Sequence, residues 1–204
     1  SKACLDAAYW IPLIGAFSGA RIAEIAQLRA DDIVRRGSVD CFAFRDDAEG
    51  QRLKTDAARR EVPIHSELVR LGFLDYVAAI RDGKASQLFP AIPKASHSSG
   101  PGAYPSDWFG DYKSALGFGP EKVFHSFRHT VRTALLEAGV AETTIDRICG
   151  HEVQGSEGAR TYSRLSVGAL AQAVERISYP GLKLARVFTA PVWRPGTTIG
   201  RRLT

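Results

Sequence analysis

Between Val123 and Tyr162 the chain carries three short polar groups, His125-Ser126-Phe127-Arg128, Gly150-His151 and Arg160-Thr161-Tyr162. The rest of the fold has to be organised around them. Arg21, in Ser18-Gly19-Ala20-Arg21-Ile22-Ala23-Glu24, and Lys54 complete the set. Two arginines, two histidines, a lysine and a tyrosine suit attack on a phosphodiester without a metal. Arginines neutralise a phosphate through fixed forks of donors. A tyrosine can act as a covalent nucleophile, and Lys or His can pass a proton to the leaving oxygen. No carboxylate cluster of the kind that holds magnesium stands beside them.

At 204 residues the chain suits one domain, or one large and one vestigial, with room for a hydrophobic core without disulfide staples. The formal net charge is +5 and the sequence pI about 9.3, a balance that modestly favours an anionic partner. Cys4, Cys41 and Cys149 are odd in number and far apart. They are read as reduced, mostly buried thiols, and no thiolate metal site is indicated. The longest uncharged run, Ala7 to Ala20, is too short to span a bilayer and contains Pro12 and Gly15. No secretory signal pattern is present. No methionine occurs, even at the start, so the chain is expected to be a fragment or a processed piece.

Leu5 to Phe17 is apolar and helix-compatible, with Pro12 near its middle. Ser18-Gly19 breaks the run and offers an N-cap for a helix over Arg21 to Leu28. There Ile22, Ile25 and Leu28 share one face, and Arg21 and Glu24 lie together on a neighbouring one. On this segment alone Arg21 reads as a solvated arginine paired with Glu24. The β-prone stretches that follow, including Val39 to Phe44 and Glu61-Val62-Pro63-Ile64, predict three short antiparallel strands. Lys54 falls near a hairpin tip, where a plain loop lysine is the local alternative. Ser66 opens a helix with an apolar stripe of Leu68, Leu71, Leu74, Val77 and Ile80.

Ala95 to Pro105 is a Ser/Gly/Pro-rich loop, and its His97 is assigned no role. Ser106 caps a helix over Asp107 to Leu116, whose Trp108, Phe109 and Tyr112 are expected to pack in the core rather than stack on bases. Ser126 to Ala138 is the next helix, ended by Gly139. His125 and Arg128 can then face one phosphate at that helix's N-terminus, which already favours anions. His125 and His129 are four apart, but Ser126 stands where a zinc-binding His-Glu-x-x-His has glutamate, so no metal is expected. His129 is read as a core residue or a support for its neighbours. Thr143 or Thr144 caps a short helix through Ile148. Beyond it, Val167, Leu170, Ala171, Val174 and Ile177 form a stripe that must be buried somewhere.

The ordered set Arg21, Lys54, His125-x-x-Arg128, His151 and Tyr162 resembles the catalytic domain of the tyrosine recombinases, the phage-integrase family, from about Tyr9 to about Leu184. His-x-x-Arg alone is common; the order and spacing of all six carry the likeness. The resemblance makes Arg21 the first catalytic arginine and Glu24 the acidic residue that commonly follows it. It puts the family's lysine in the second hairpin, ahead of a strand ending Val-Pro-Ile, where Lys54 matches best and Arg52 is a near neighbour. Ser18 and Ala20 replace a threonine and a larger apolar residue found in many members. Tyr162 lies eleven residues beyond His151, a longer gap than is common in the family. Tyr179, the competing nucleophile, lies too far downstream.

The resemblance implies a mainly α fold with a small three-stranded antiparallel β-sheet (α+β), forming half of a clamp on double-stranded DNA. Residues 1–187 would be the catalytic domain and 188–204, with its prolines, glycines and Arg194, Arg201 and Arg202, a tail. The family's N-terminal core-binding domain would be absent from this sequence. Tyr162 would attack the scissile phosphate and form a 3′-phosphotyrosyl bond, with no cofactor. Arg21 and Arg128 would hold the non-bridging oxygens, and Lys54 would protonate the leaving 5′-oxygen. His125 would assist at the nucleophile and His151 would hydrogen-bond the phosphate. The implied setting is the cytoplasm of a bacterium, on the nucleoid, with a homotetramer on DNA, a free monomer, accessory DNA-bending proteins as further candidates, and no membrane. Integration or excision of a prophage or genomic island is expected. A chromosome-dimer resolvase, a type IB topoisomerase-like enzyme, a non-catalytic DNA-binding module and a basic helical interaction domain are the alternatives.

Overall fold

In the computed structural model of the chain, residues 5–93, 100–152 and 165–186 are described. The architecture is the expected one, mainly helical with one three-stranded antiparallel sheet. Helix α1 (Leu5–Ser18) is its axis. Trp10, Ile11, Ile14 and Phe17 are all buried, because α1 packs against α2 (Ile22–Ala26), α3 (Ser66–Arg70), α5 (Ala103–Ala115) and α6 (His125–Glu137). A helix apolar on every side has to be enclosed in this way. Gly15 sets how closely α6 approaches, since a Cβ there would lie 2.6 Å from Phe124 Cζ. Phe124 immediately precedes His125, so this contact fixes where α6 begins.

The sheet comprises β1 (Ile33–Arg36), β2 (Val39–Phe44) and β3 (Arg60–Pro63), in that order. Phe42 faces Val62, and Phe44 faces Arg60. The apolar side packs on α8 (Val167–Val174) and, through β3, on α7 (Glu142–Cys149). The stripe after Tyr162 is therefore buried within the same chain. Leu170, Ala173, Val174 and Ile177 form it, with Ala173 in place of the expected Ala171, while Ala171 and the expected Val167 are only half-buried. The end of this segment is tied down by polar contacts as well. His65 Nε2 lies 3.0 Å from the Ile177 carbonyl, Glu175 accepts from Ser66 N–H at 2.8 Å, and the Tyr179 hydroxyl donates to the Ala16 carbonyl.

Several local expectations are corrected. Ser18 does not cap α2. It ends α1, donating to the Ile14 carbonyl at 2.6 Å, and Arg21 is the N-cap residue. The single helix expected from Ser66 is two, α3 and α4 (Phe73–Asp82), because Gly72 takes φ 93 between them. The core face of α4 is consequently Phe73, Tyr76, Val77 and Ile80, with Leu74 only partly buried. Helix α3 does open at Ser66, and His65 caps it, accepting the Glu67 N–H on Nδ1. Helix α5 starts at Ala103, ahead of Ser106, with Pro105 in the first turn, where a missing N–H costs nothing. Ala141, not Thr143 or Thr144, caps α7. Phe109 packs edge-on against Phe124, but Tyr112 stacks on Trp108 and stays exposed. His129 is exposed rather than core.

Candidate active site

Arg128 stands one turn into α6 and is only 2 % exposed. Its Nη1 donates to the Gly19 carbonyl at 3.0 Å. Its Nε and Nη2 are buried and have no partner among the described residues. Burial pulls its guanidinium down to about 10, with Arg21 and Arg60 adding to the effect and Cys149 and Glu24 opposing it. The group stays charged at neutral pH. A buried cation with two open donors is costly, on the order of 1–3 kcal/mol for each unmade bond. Two such donors suit the oxygens of an anion.

Arg21 lies beside it. Its backbone N–H donates to Glu24 Oε2 at 2.9 Å and its Nη1 to Glu24 Oε1 at 2.6 Å. The pairing with Glu24 read from the sequence is therefore real, yet it leaves the Arg21 side chain 25 % exposed toward the site. Burial pushes the Glu24 carboxyl up, but Arg60 and Arg21 outweigh it and hold the group below the usual carboxylate range. Glu24 is thus ionised, and this one carboxylate meets two guanidinium groups, while Arg128 has no carboxylate partner among the described residues.

His125 is the first residue of α6 and is exposed, its ring edge-on to His129 at 4.9 Å. Desolvation, then His129, Arg128 and Arg21, lower its pKa. His151 follows Gly150, whose φ of 69 ends α7 in the left-handed region that glycine adopts without strain. The His151 backbone N–H donates to the Asp146 carbonyl at 2.9 Å, and Nδ1 lies 3.4 Å from both Asp146 Oδ1 and Arg132 Nη1. Desolvation and Arg128 lower the His151 pKa against the opposing pull of Asp146. Both rings are therefore neutral at pH 7, able to accept or donate a hydrogen bond without adding charge.

Arg21, His125, Arg128 and His151 thus form one electrostatic neighbourhood at the α1–α2 corner, the start of α6 and the end of α7. Lys54 is not drawn into it. It sits exposed in the connection between β2 and β3, with no partner among the described residues. Tyr162, with Arg160 and Thr161, lies outside the described residues, as do His97 and the tail from Phe188. Among the described residues no group of three His, Cys, Asp or Glu side chains could hold a metal, and no helix is long and apolar enough to cross a membrane. Tyr179 is engaged structurally, and burial pushes its hydroxyl up to about 12.

The sequence reading missed Arg60, Asp146 and Arg132. Arg60 touches Glu24, and the other two bracket His151. Arg60 could have been found from strand periodicity. It shares a face with Val62, so it points inward while Arg59 points out to Asp46 and Asp47. Asp146 and Arg132 come from different helices, α7 and α6, and no local pattern joins them.

Comparison with curated proteins and with solved structures returns no match. The family model described as the phage integrase family matches residues 13–166, a span that holds all six residues of the set. With most of the chain matched, a fold of the expected kind and arginines gathered at one anion-ready corner, the chain belongs to the phage integrase family, tyrosine recombinases that act on DNA.

Proposed function

We propose that this chain is the catalytic domain, residues 1–187, of a site-specific recombinase that cuts and rejoins DNA strands through a 3′-phosphotyrosyl bond to Tyr162. The observation that carries the reading is Arg128, a buried guanidinium with Nε and Nη2 open beside Arg21. Two donors of one fork match two oxygens of one phosphate. In the proposed step the Tyr162 oxygen bonds to phosphorus as the bond to the 5′-oxygen breaks. Arg21 and Arg128 hold the non-bridging oxygens, on which charge builds in the transition state. Neutral His125 takes up the tyrosine proton, neutral His151 donates to the phosphate, and Lys54 gives a proton to the leaving 5′-oxygen. A 5′-hydroxyl from another strand reverses the step, so the bond energy is kept and no nucleotide triphosphate is consumed.

The reading extends to a homotetramer on duplex DNA, free monomers, accessory DNA-bending proteins, action on nucleoid DNA in a bacterial cytoplasm, and integration or excision of a prophage or genomic island. A free tyrosine ionises near about 10, so its activation rests on the local positive field and on proton acceptance during attack. Covalent capture on a nicked suicide duplex tests the core of the proposal. Tyr162→Phe should abolish capture with duplex binding nearly unchanged. Tyr179→Phe should keep capture and lose about 1 kcal/mol of stability with its hydrogen bond to Ala16. Capture by the Tyr162→Phe variant would show that another residue is the nucleophile.

A further inference from the structure

Arg60 is the first residue of β3 and is nearly buried, with a side chain 7 % exposed. Every edge of its guanidinium is engaged. Nη2 donates to Glu24 Oε2 at 2.9 Å, Nε to the Ile148 carbonyl at 2.8 Å, and Nη1 to the Ala58 carbonyl at 2.7 Å. Its Cζ lies 4.5 Å over the Phe44 ring, the residue opposite it in the sheet. Each contact leads to a different part of the site. Glu24 is the carboxylate that holds Arg21 by both backbone and side chain. Ile148 is in the last turn of α7, whose end presents Gly150 and His151. Ala58 closes the connection that carries Lys54. Gly150 is shaped to the same group, since a Cβ there would lie 2.6 Å from Arg60 Nη1.

We propose that Arg60 is a positioning residue of the recombinase site, a single planar fork that sets Arg21 and His151 relative to one another and anchors the Lys54 connection to both. It touches neither phosphate nor nucleophile; it acts through Glu24 and the end of α7. Lysine cannot replace it, because three acceptors in three directions need the guanidinium plane rather than a point charge. The role given to Arg21 and His151 rests on the function proposed above, whereas their dependence on Arg60 does not.

The test uses the full chain. Arg60→Lys should lower the single-turnover cleavage rate about ten- to a hundredfold, the cost of an ångström-scale misplacement, with duplex affinity nearly unchanged. The NMR signals of the Arg21 Nε–H and the His151 ring should shift. A folded Arg60→Lys protein with wild-type rate and unshifted signals overturns the proposal, even if its Tm is lower, because that describes a purely structural arginine. Should Arg60→Lys fail to fold, Gly150→Ala disturbs the same fork while keeping Arg60. It should lower the rate and shift the His151 signals, and wild-type values in that folded variant overturn the proposal equally. If the wild-type chain captures no DNA, the functional reading fails. The NMR signals then decide alone, a shift supporting the positioning role and its absence overturning it.

Discussion

Arg128 and Lys54 carry the same formal charge and are housed in opposite ways. Arg128 is 2 % exposed on the first turn of a helix held against α1, with Gly19 as its one acceptor among the described residues. Lys54 is exposed in the connection from β2 to β3 and has no partner among the described residues. The difference tracks what the proposed mechanism asks of each group. Stabilising charge on a phosphate needs donors whose geometry is fixed beforehand, since reorganising them during reaction raises the barrier. Delivering one proton to a leaving oxygen needs reach, which an exposed side chain on a connection keeps. The molecule spends stability on the first and none on the second.

The largest effect that would sharpen this contrast is on rate at the fixed side. Arg128→Lys keeps the charge and loses the fork, and cleavage in a single turnover should fall by about a hundredfold or more, roughly 3 kcal/mol of transition-state stabilisation. A fall of less than about threefold would break the contrast by removing Arg128 from the chemistry. On the exposed side, Lys54→Ala should also slow cleavage by about a hundredfold. A duplex whose leaving group is a 5′-sulfur, which needs no proton, should recover most of that loss. The same sulfur substrate should not rescue Arg128→Lys. Rescue of both variants, or of neither, would mean that the two residues do not divide the work in this way.

Smaller effects concern stability. Arg128→Met removes a buried charge with two unmade bonds, so thermal or urea unfolding should show the variant unchanged or more stable by about 1 kcal/mol, although inactive. Lys54→Met should leave stability alone. A loss of several kcal/mol in Arg128→Met would show that Arg128 is a structural cation with a partner in the free protein. The smallest effect is on pH. His125 and His151 have depressed pKa values in the fold, so the unfolded chain binds more protons than the native one just below the ordinary histidine range. Stability contributed by the neutral rings is full above about 6.5 and is lost as pH falls from there through the two native values. Melting curves from neutral to mildly acid pH on wild type and on His151→Asn would read this. An unchanged pH slope in the variant would assign the effect to other groups.

The strands, the position of Lys54 between β2 and β3, and the buried stripe of α8 were legible because each follows from a period of two or of three to four in the residues themselves. The His125-x-x-Arg128 pair on the first turn of α6 was legible for the same reason. The caps were legible less often. Arg21 and Ala141 occupy N-cap positions with no side-chain oxygen, and Gly72 divides a stripe that reads as continuous. Here tertiary burial outweighed capping preferences worth about 1 kcal/mol.

The amino-acid sequence by itself carried the family, through the order in which its cations, histidines and tyrosine stand, and with it the chemistry proposed above. Tertiary structure alone decided which of the arginines around the site has no counter-ion among the described residues. Arg21, Arg60 and Arg132 each find a carboxylate, at Glu24, Glu24 and Asp146, while among the described residues Arg128 finds only a carbonyl. That allocation depends on contacts between residues far apart in the chain, as from Arg60 to Ile148 and from Arg128 to Gly19, made where helices and sheet converge. A charge's partner is set by distance and burial in space, and neither quantity is written in the local pattern of residues around it.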